Sequence, residues 1–130
     1  MATMEMDHAV DPAQDLFERL GDVSNVELFN NNVLVAVYIR PEKTKSGLYI
    51  SSKTIDEDRY QGKVGLLVAT GPKAFSVDSD AWFQDVVVKH GDWLTFRSSD
   101  GWSINVNGVL CRIMPDIQVK GRIDRPDRVW

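Results

Sequence analysis

One cysteine, Cys111, among 130 residues leaves no disulfide framework. A lone thiol inside an apolar run reads as a buried structural residue in a reducing compartment. Histidine is nearly as scarce: His8 lies in a patternless start and His90 in a turn. Neither stands near Cys111 or another ligand at metal spacing, so no zinc site is expected. No stretch approaches the roughly 20 apolar residues of a membrane span. The N-terminus also lacks the basic and apolar regions of a secretion signal. Positive charge is in deficit, with 15 Lys and Arg against 19 Asp and Glu and a net charge of −4, which argues against a partner bound through phosphate neutralisation. These absences imply a soluble, cytoplasmic protein with neither membrane nor nucleic acid as partner.

Catalytic signatures are missing too. There is no Gly-x-Ser-x-Gly elbow, phosphate-binding loop or dinucleotide fingerprint. The acidic run Asp56-Glu57-Asp58 reads as a solvated face, because adjacent acids on a loop point apart rather than converge. No enzyme activity, catalytic residue, cofactor or metal is expected.

What is present is one modest core and many turns. An apolar fraction of 43% suits a single domain of this length. After a patternless stretch over 1–10, Asp11 to Gly21 has helix grammar. Asp11 can cap, Pro12 suits the first position, Gln14 can close a capping box and Gly21 can stop the helix. Leu16, Phe17 and Leu20 form one apolar stripe, so this short helix must lie against something. Val23 to Phe29 alternates loosely, and Asn30-Asn31-Asn32 reads as a turn. Strands are predicted over Val33–Ile39, Gly62–Ala69, Val86–Val88, Trp93–Arg97, Trp102–Val106, Val109–Met114 and Ile117–Ile123. Gly65 marks a bulge or a close contact. Asn107-Gly108 is the strongest hairpin signal. Short strands joined by frequent turns indicate a small antiparallel barrel or sandwich.

Two excursions interrupt this pattern. Roughly twenty polar residues separate Ile39 from the next strand, longer than the ~12–15 that a compact domain leaves without a purpose. Their one apolar island is Leu48-Tyr49-Ile50. A second excursion, residues 73–85, has a tip at Asp78-Ser79-Asp80 and carries Phe75, Trp82 and Phe83, either packed on each other or meeting a neighbouring subunit. The chain closes with a polar run ending in Trp130, which reads as a docking anchor or as an incidental exposed end.

An apolar strand, charged residues, Thr44-Lys45-Ser46-Gly47, an apolar tripeptide, a polar run and Gly62-Lys63-Val64 before a second apolar strand together resemble the GroES (Hsp10) co-chaperonins. Ala69-Thr70-Gly71, Val88-Lys89-His90-Gly91-Asp92 and Asn107-Gly108-Val109-Leu110 continue the resemblance, which covers about Asn32 to Ile123. It implies a mainly β fold: a small GroES-like antiparallel β-barrel with a long loop (41–61) and a roof-like hairpin (73–85). A helical N-terminal extension (1–31) and a tail (124–130) would flank the barrel domain (32–123). It further implies that Gly47, Leu48, Tyr49 and Ile50 form a mobile loop that docks on a chaperonin ring, that the homo-oligomer is a heptamer, and that Val33–Ile39 and Ile117–Ile123 pair between adjacent subunits. Some dehydrogenases carry such a barrel, but the cofactor-binding half they need is missing here. The sequence departs from the family in its N-terminal extension, its tail, its single glycine before the tripeptide, and a tyrosine at Tyr49 where an aliphatic residue is usual. It looks closest to the co-chaperonins of phages, which act on capsid protein in the host cytoplasm.

The energetics of the loop favour an assembly. Burying three apolar side chains yields about 1.5–3 kcal/mol each, while ordering backbone costs about 1–2 kcal/mol per residue. One loop binds weakly; several on one ring bind well, because each docking after the first is intramolecular. A different class of function also fits: a virion structural protein, with the barrel reused as a decoration or cement subunit on the capsid surface and the major capsid protein as its partner. The helix, the aromatic hairpin and Trp130 suit that role.

Overall fold

A computed structural model describes residues 11–24, 26–39, 51, 63–75 and 87–126. One helix, α1 (Pro12–Leu20), precedes six strands: β1 (Asn32–Val37), β2 (Val64–Thr70), β3 (Trp93–Thr95), β4 (Trp102–Val106), β5 (Val109–Pro115) and β6 (Gly121–Ile123). They form one antiparallel sheet in the order β4-β5-β1-β2-β3-β6. The chain is mainly β, as expected for the small barrel class.

The sheet's centre follows from its most apolar segment. Every residue from Val33 to Tyr38 is buried, so β1 is covered on both faces and hydrogen-bonded on both edges. Successive side chains alternate between two clusters. Val33 and Val35 join Leu67, Leu94, Phe96 and Met114. Leu34 and Ala36 join Leu66, Val68, Trp93 and Cys111 on the opposite face. The ladder to β2 slips at Leu34/Val35, where Leu34 faces Ala69 but Val35 faces Leu67, leaving Val68 as the extra residue. The irregularity therefore falls here rather than at Gly65. Gly65 is instead a close contact, since a Cβ there would lie 2.9 Å from the Val35 Cβ.

The second face needs a cover, and the N-terminal extension supplies it. Asp11 accepts the Gln14 N–H at 3.1 Å, Pro12 opens the helix, and Gly21 ends it with φ 59° and an N–H bonded to the Phe17 carbonyl. The reciprocal half of the capping box does not form, because the Gln14 side chain reaches forward to Glu18 at 3.2 Å. Leu20 is buried, and Ala13, Leu16, Val23, Val26 and Leu28 pack beside it on the β1–β2–β5 face. Phe17 is more exposed than its place in the stripe suggested, lying over the turn at Gly91. The Asn107-Gly108 turn has positive φ at both residues, 50° and 82°, the type I′ hairpin its sequence predicts. Its Asn107 amide donates to the carbonyls of Leu20 and Asp22, which ties the helix end to the β4–β5 hairpin.

Three expectations need correction. Val87 and Val88 are not in a strand, while Val86 lies outside the described residues: the Arg122 guanidinium donates to the Val87 carbonyl, and the same guanidinium meets Asp92 at 3.1 Å. The final strand does not begin at Ile117. Asp116–Gln118 is a 3₁₀ turn closed by the Val119 N–H on the Asp116 carbonyl, and pairing resumes only where the Lys120 N–H reaches the Thr95 carbonyl. Finally, β1 has no edge to offer another subunit, since β2 and β5 occupy both sides. The outermost strands are β4 and β6.

Candidate functional site

The expected docking residues Gly47, Leu48, Tyr49 and Ile50 lie outside the described residues, as do Trp82, Phe83 and Trp130. What the structure does place is the frame from which the two excursions leave.

The first leaves between β1 and β2. The ladder carries Val37 opposite Gly65, and the Tyr38 N–H then bonds to the Val64 carbonyl at 2.9 Å. The chain thus departs and re-enters at one point. Tyr38 is buried with its ring against Trp93, edge to face, the centroids 5.7 Å apart at 79°. Such a pair adds about 0.5–1.5 kcal/mol beyond area burial and locks the loop's base to β3.

The second excursion starts at Gly71. The N–H groups of Gly71 and Lys73 bond to the carbonyls of Asn32 and Asn30 at 2.8 and 2.9 Å. Phe75, expected among the roof aromatics, sits at the start of this excursion, half-buried against the Val33–Leu67–Met114 cluster. Its φ of 54° is unusual for a bulky residue. The conformation is held by its N–H, which donates to Asp116 Oδ2 at 2.8 Å. Asp116 Oδ1 accepts the Asn31 side-chain amide at 2.9 Å, and the Asp116 N–H donates to the Asn31 carbonyl at 2.9 Å. One buried carboxylate therefore joins the Asn30–Asn32 turn, the backbone at Phe75 and the segment before β6. The sequence marks the Asn30–Asn32 turn, but neither Asp116 nor Tyr38 as a residue that frames the site.

Two further buried groups are structural. Arg112 donates to the carbonyls of Ser98 (2.7 Å) and Asp100 (3.1 Å) and lies 5.4 Å from the Phe96 ring centroid. Burial lowers its pKa, and the Asp100 charge opposes that shift. Cys111 is fully buried, and burial pushes its thiol up to about 11 from 9.0. The native protein therefore keeps this proton where the unfolded chain loses it. The resulting stability is complete below about pH 9 and is lost as pH rises toward 11. A thiol reagent at pH 8 is expected to leave Cys111 unmodified until denaturant is added; rapid native labelling would contradict this burial. Among the described residues no group of three or more His, Cys, Asp or Glu could hold a metal ion, and no helix is long and apolar enough to cross a membrane.

A small antiparallel β domain that brings together the two ends of one long connection and holds the start of another is consistent with the GroES-like barrel class. Residues 25–123 match the family of the chaperonin 10 Kd subunit, Cpn10, and the chain belongs to that family. Its role is accordingly that of a GroES-like co-chaperone, with a chaperonin as partner and oligomerisation as its working form. A search of curated proteins finds no match. The match begins at residue 25, ahead of the expected boundary at 32, and leaves α1 outside it.

Proposed function

We propose that the chain forms a cap that closes a chaperonin ring and assists folding by docking Leu48-Tyr49-Ile50 into sites on that ring. It performs no covalent chemistry itself. The observation that carries this reading is the loop base, where the Tyr38–Val64 hydrogen bond and the Tyr38–Trp93 contact fix departure and return at one point. A rigid base lowers the entropy of presenting the tripeptide. In the narrower form of the reading, seven copies form the cap, the gene is phage-borne and the client is capsid protein. Subunit contacts fall to the outermost strands among the described residues, β4 and β6.

The test is co-sedimentation with a bacterial chaperonin, with and without nucleotide, beside a Tyr49→Asp variant. Nucleotide-dependent binding is expected, weakened more than about tenfold in the variant, since a charge forced into an apolar site must be desolvated. Failure to bind under either condition would sink the capping role. Stoichiometric recovery in purified capsids would then favour the decoration subunit.

A further inference from the structure

The Asn107-Gly108 turn carries chemistry as well as geometry. Of the six asparagines, only Asn107 precedes a glycine, the residue that leaves the following backbone nitrogen unshielded by a side chain. Both residues are exposed, and nothing lies within 4 Å of the Cβ position at Gly108. The Asn107 side chain meanwhile fastens a helix. Its amide nitrogen donates to the carbonyls of Leu20 and Asp22. The Leu20 carbonyl is the last of α1, one of the terminal carbonyls that no helical N–H can reach. Two acceptors there also fix the amide's orientation, since its oxygen in that place would face both carbonyls.

We infer that Asn107 is a site of spontaneous deamidation, and that its conversion unfastens α1 from the β4–β5 hairpin. The Gly108 nitrogen, on losing its proton to water or hydroxide, bonds to the Asn107 Cγ. The Cγ–Nδ2 bond breaks, and that nitrogen leaves as ammonia after taking a proton from water. Water then opens the resulting five-membered ring at either carbonyl. One product is aspartate. The other is isoaspartate, whose main chain runs through the side-chain carbon and lengthens the turn. Neither keeps a donor for Leu20 or Asp22, and aspartate sets a carboxylate against two carbonyls at the negative end of the helix dipole. A fastener becomes a repulsion. While the clasp is closed, the fixed φ values of 50° and 82° and the engaged amide hold back ring closure. Fraying of α1 releases the amide, so helix detachment and conversion promote each other, and loss of ammonia to solvent makes the step one-way.

The device acts on α1, which lies outside the matched residues 25–123, so its success or failure is separable from the capping role. The experiment ages the full chain at mildly alkaline pH and maps converted sites by peptide mass spectrometry, with a urea-unfolded sample as the reference rate. Asn107 is expected to convert ahead of every other asparagine, and more slowly folded than unfolded. Hydrogen exchange then reads the consequence. Across residues 12–22 it should speed up about tenfold or more in the converted protein and in Asn107→Asp, through two lost hydrogen bonds and an unfavourable charge. Across β1 it should change less than about twofold. Asn107→Gly suits the positive φ and stays neutral, so it should loosen α1 in the same direction but less, and it keeps the test valid if the charged variant misfolds. Three outcomes would overturn the proposal: Asn107 intact in the folded chain once the unfolded chain has fully converted, α1 exchange unchanged by conversion, or equal acceleration of α1 and β1.

Discussion

Gly71→Ala is expected to destabilise the protein by about 3 kcal/mol or more, a large share of the ~5–15 kcal/mol available to a small domain. The added Cβ would lie 2.5 Å from the Asn30 carbonyl oxygen and 3.1 Å from those of Asn32 and Phe29. All three are backbone atoms, so no rotamer change can relieve the overlap. Two of these carbonyls also accept hydrogen bonds from Gly71 and Lys73. Displacing them breaks the seam that roots the second excursion on the Asn30–Asn32 turn. Gly108→Ala makes an informative contrast. Nothing lies within 4 Å of its Cβ, but its φ is +82°, so only backbone strain of about 1–2 kcal/mol is expected. Urea unfolding of both variants separates crowding from strain. Equal, small shifts would mean that the Asn30–Asn32 turn yields easily and that the seam at Gly71 is not rigid.

The sequence was most legible where one local rule decided the outcome. Asp11-Pro12 and Gly21 delimit α1, Asn107-Gly108 sets the β4–β5 hairpin, and the unbroken apolar run from Val33 marks the central strand. It was least legible where a distant side chain took over a backbone group. Arg122 captures the Val87 carbonyl across 35 positions, and Asp116 captures the Phe75 N–H across 41. The first leaves an expected strand as irregular chain, and the second holds Phe75 at a positive φ. No periodicity encodes such pairs, because each partner reads locally as an ordinary surface charge. The loop followed a third logic: its length and apolar island were plain in sequence, whereas its base, Tyr38 on Trp93, joins residues 55 positions apart (93 − 38). The strand that most resembled a subunit edge proved central, because apolarity on both faces says nothing about which hydrogen-bonding edges are taken.

Asp116→Ala is the second substitution with a large expected effect, about 3 kcal/mol. It removes acceptors from two donors, the Asn31 amide and the Phe75 N–H, and hydrogen bonds to a charged group contribute about 1.5–3 kcal/mol each. Relief from burying a carboxylate offsets part of that sum. Asp116→Asn is not expected to rescue it: one amide oxygen can serve one donor, but the amide nitrogen then confronts the other. A double-mutant cycle with Asn31→Ala isolates the contact, and a coupling of about 1–2 kcal/mol is expected if the two side chains act as one clamp. Phe75 sits at φ 54° with its N–H on this acceptor. Losing Asp116 should therefore also raise proteolytic cleavage between Phe75 and Val87 more than elsewhere in the chain. A variant that melts like the parent, or is cleaved no faster there, would show that the Asn31 turn and the β2 ladder alone hold the chain at Phe75. In that case the stiffness proposed for the displayed loops would rest on the Tyr38–Trp93 base by itself.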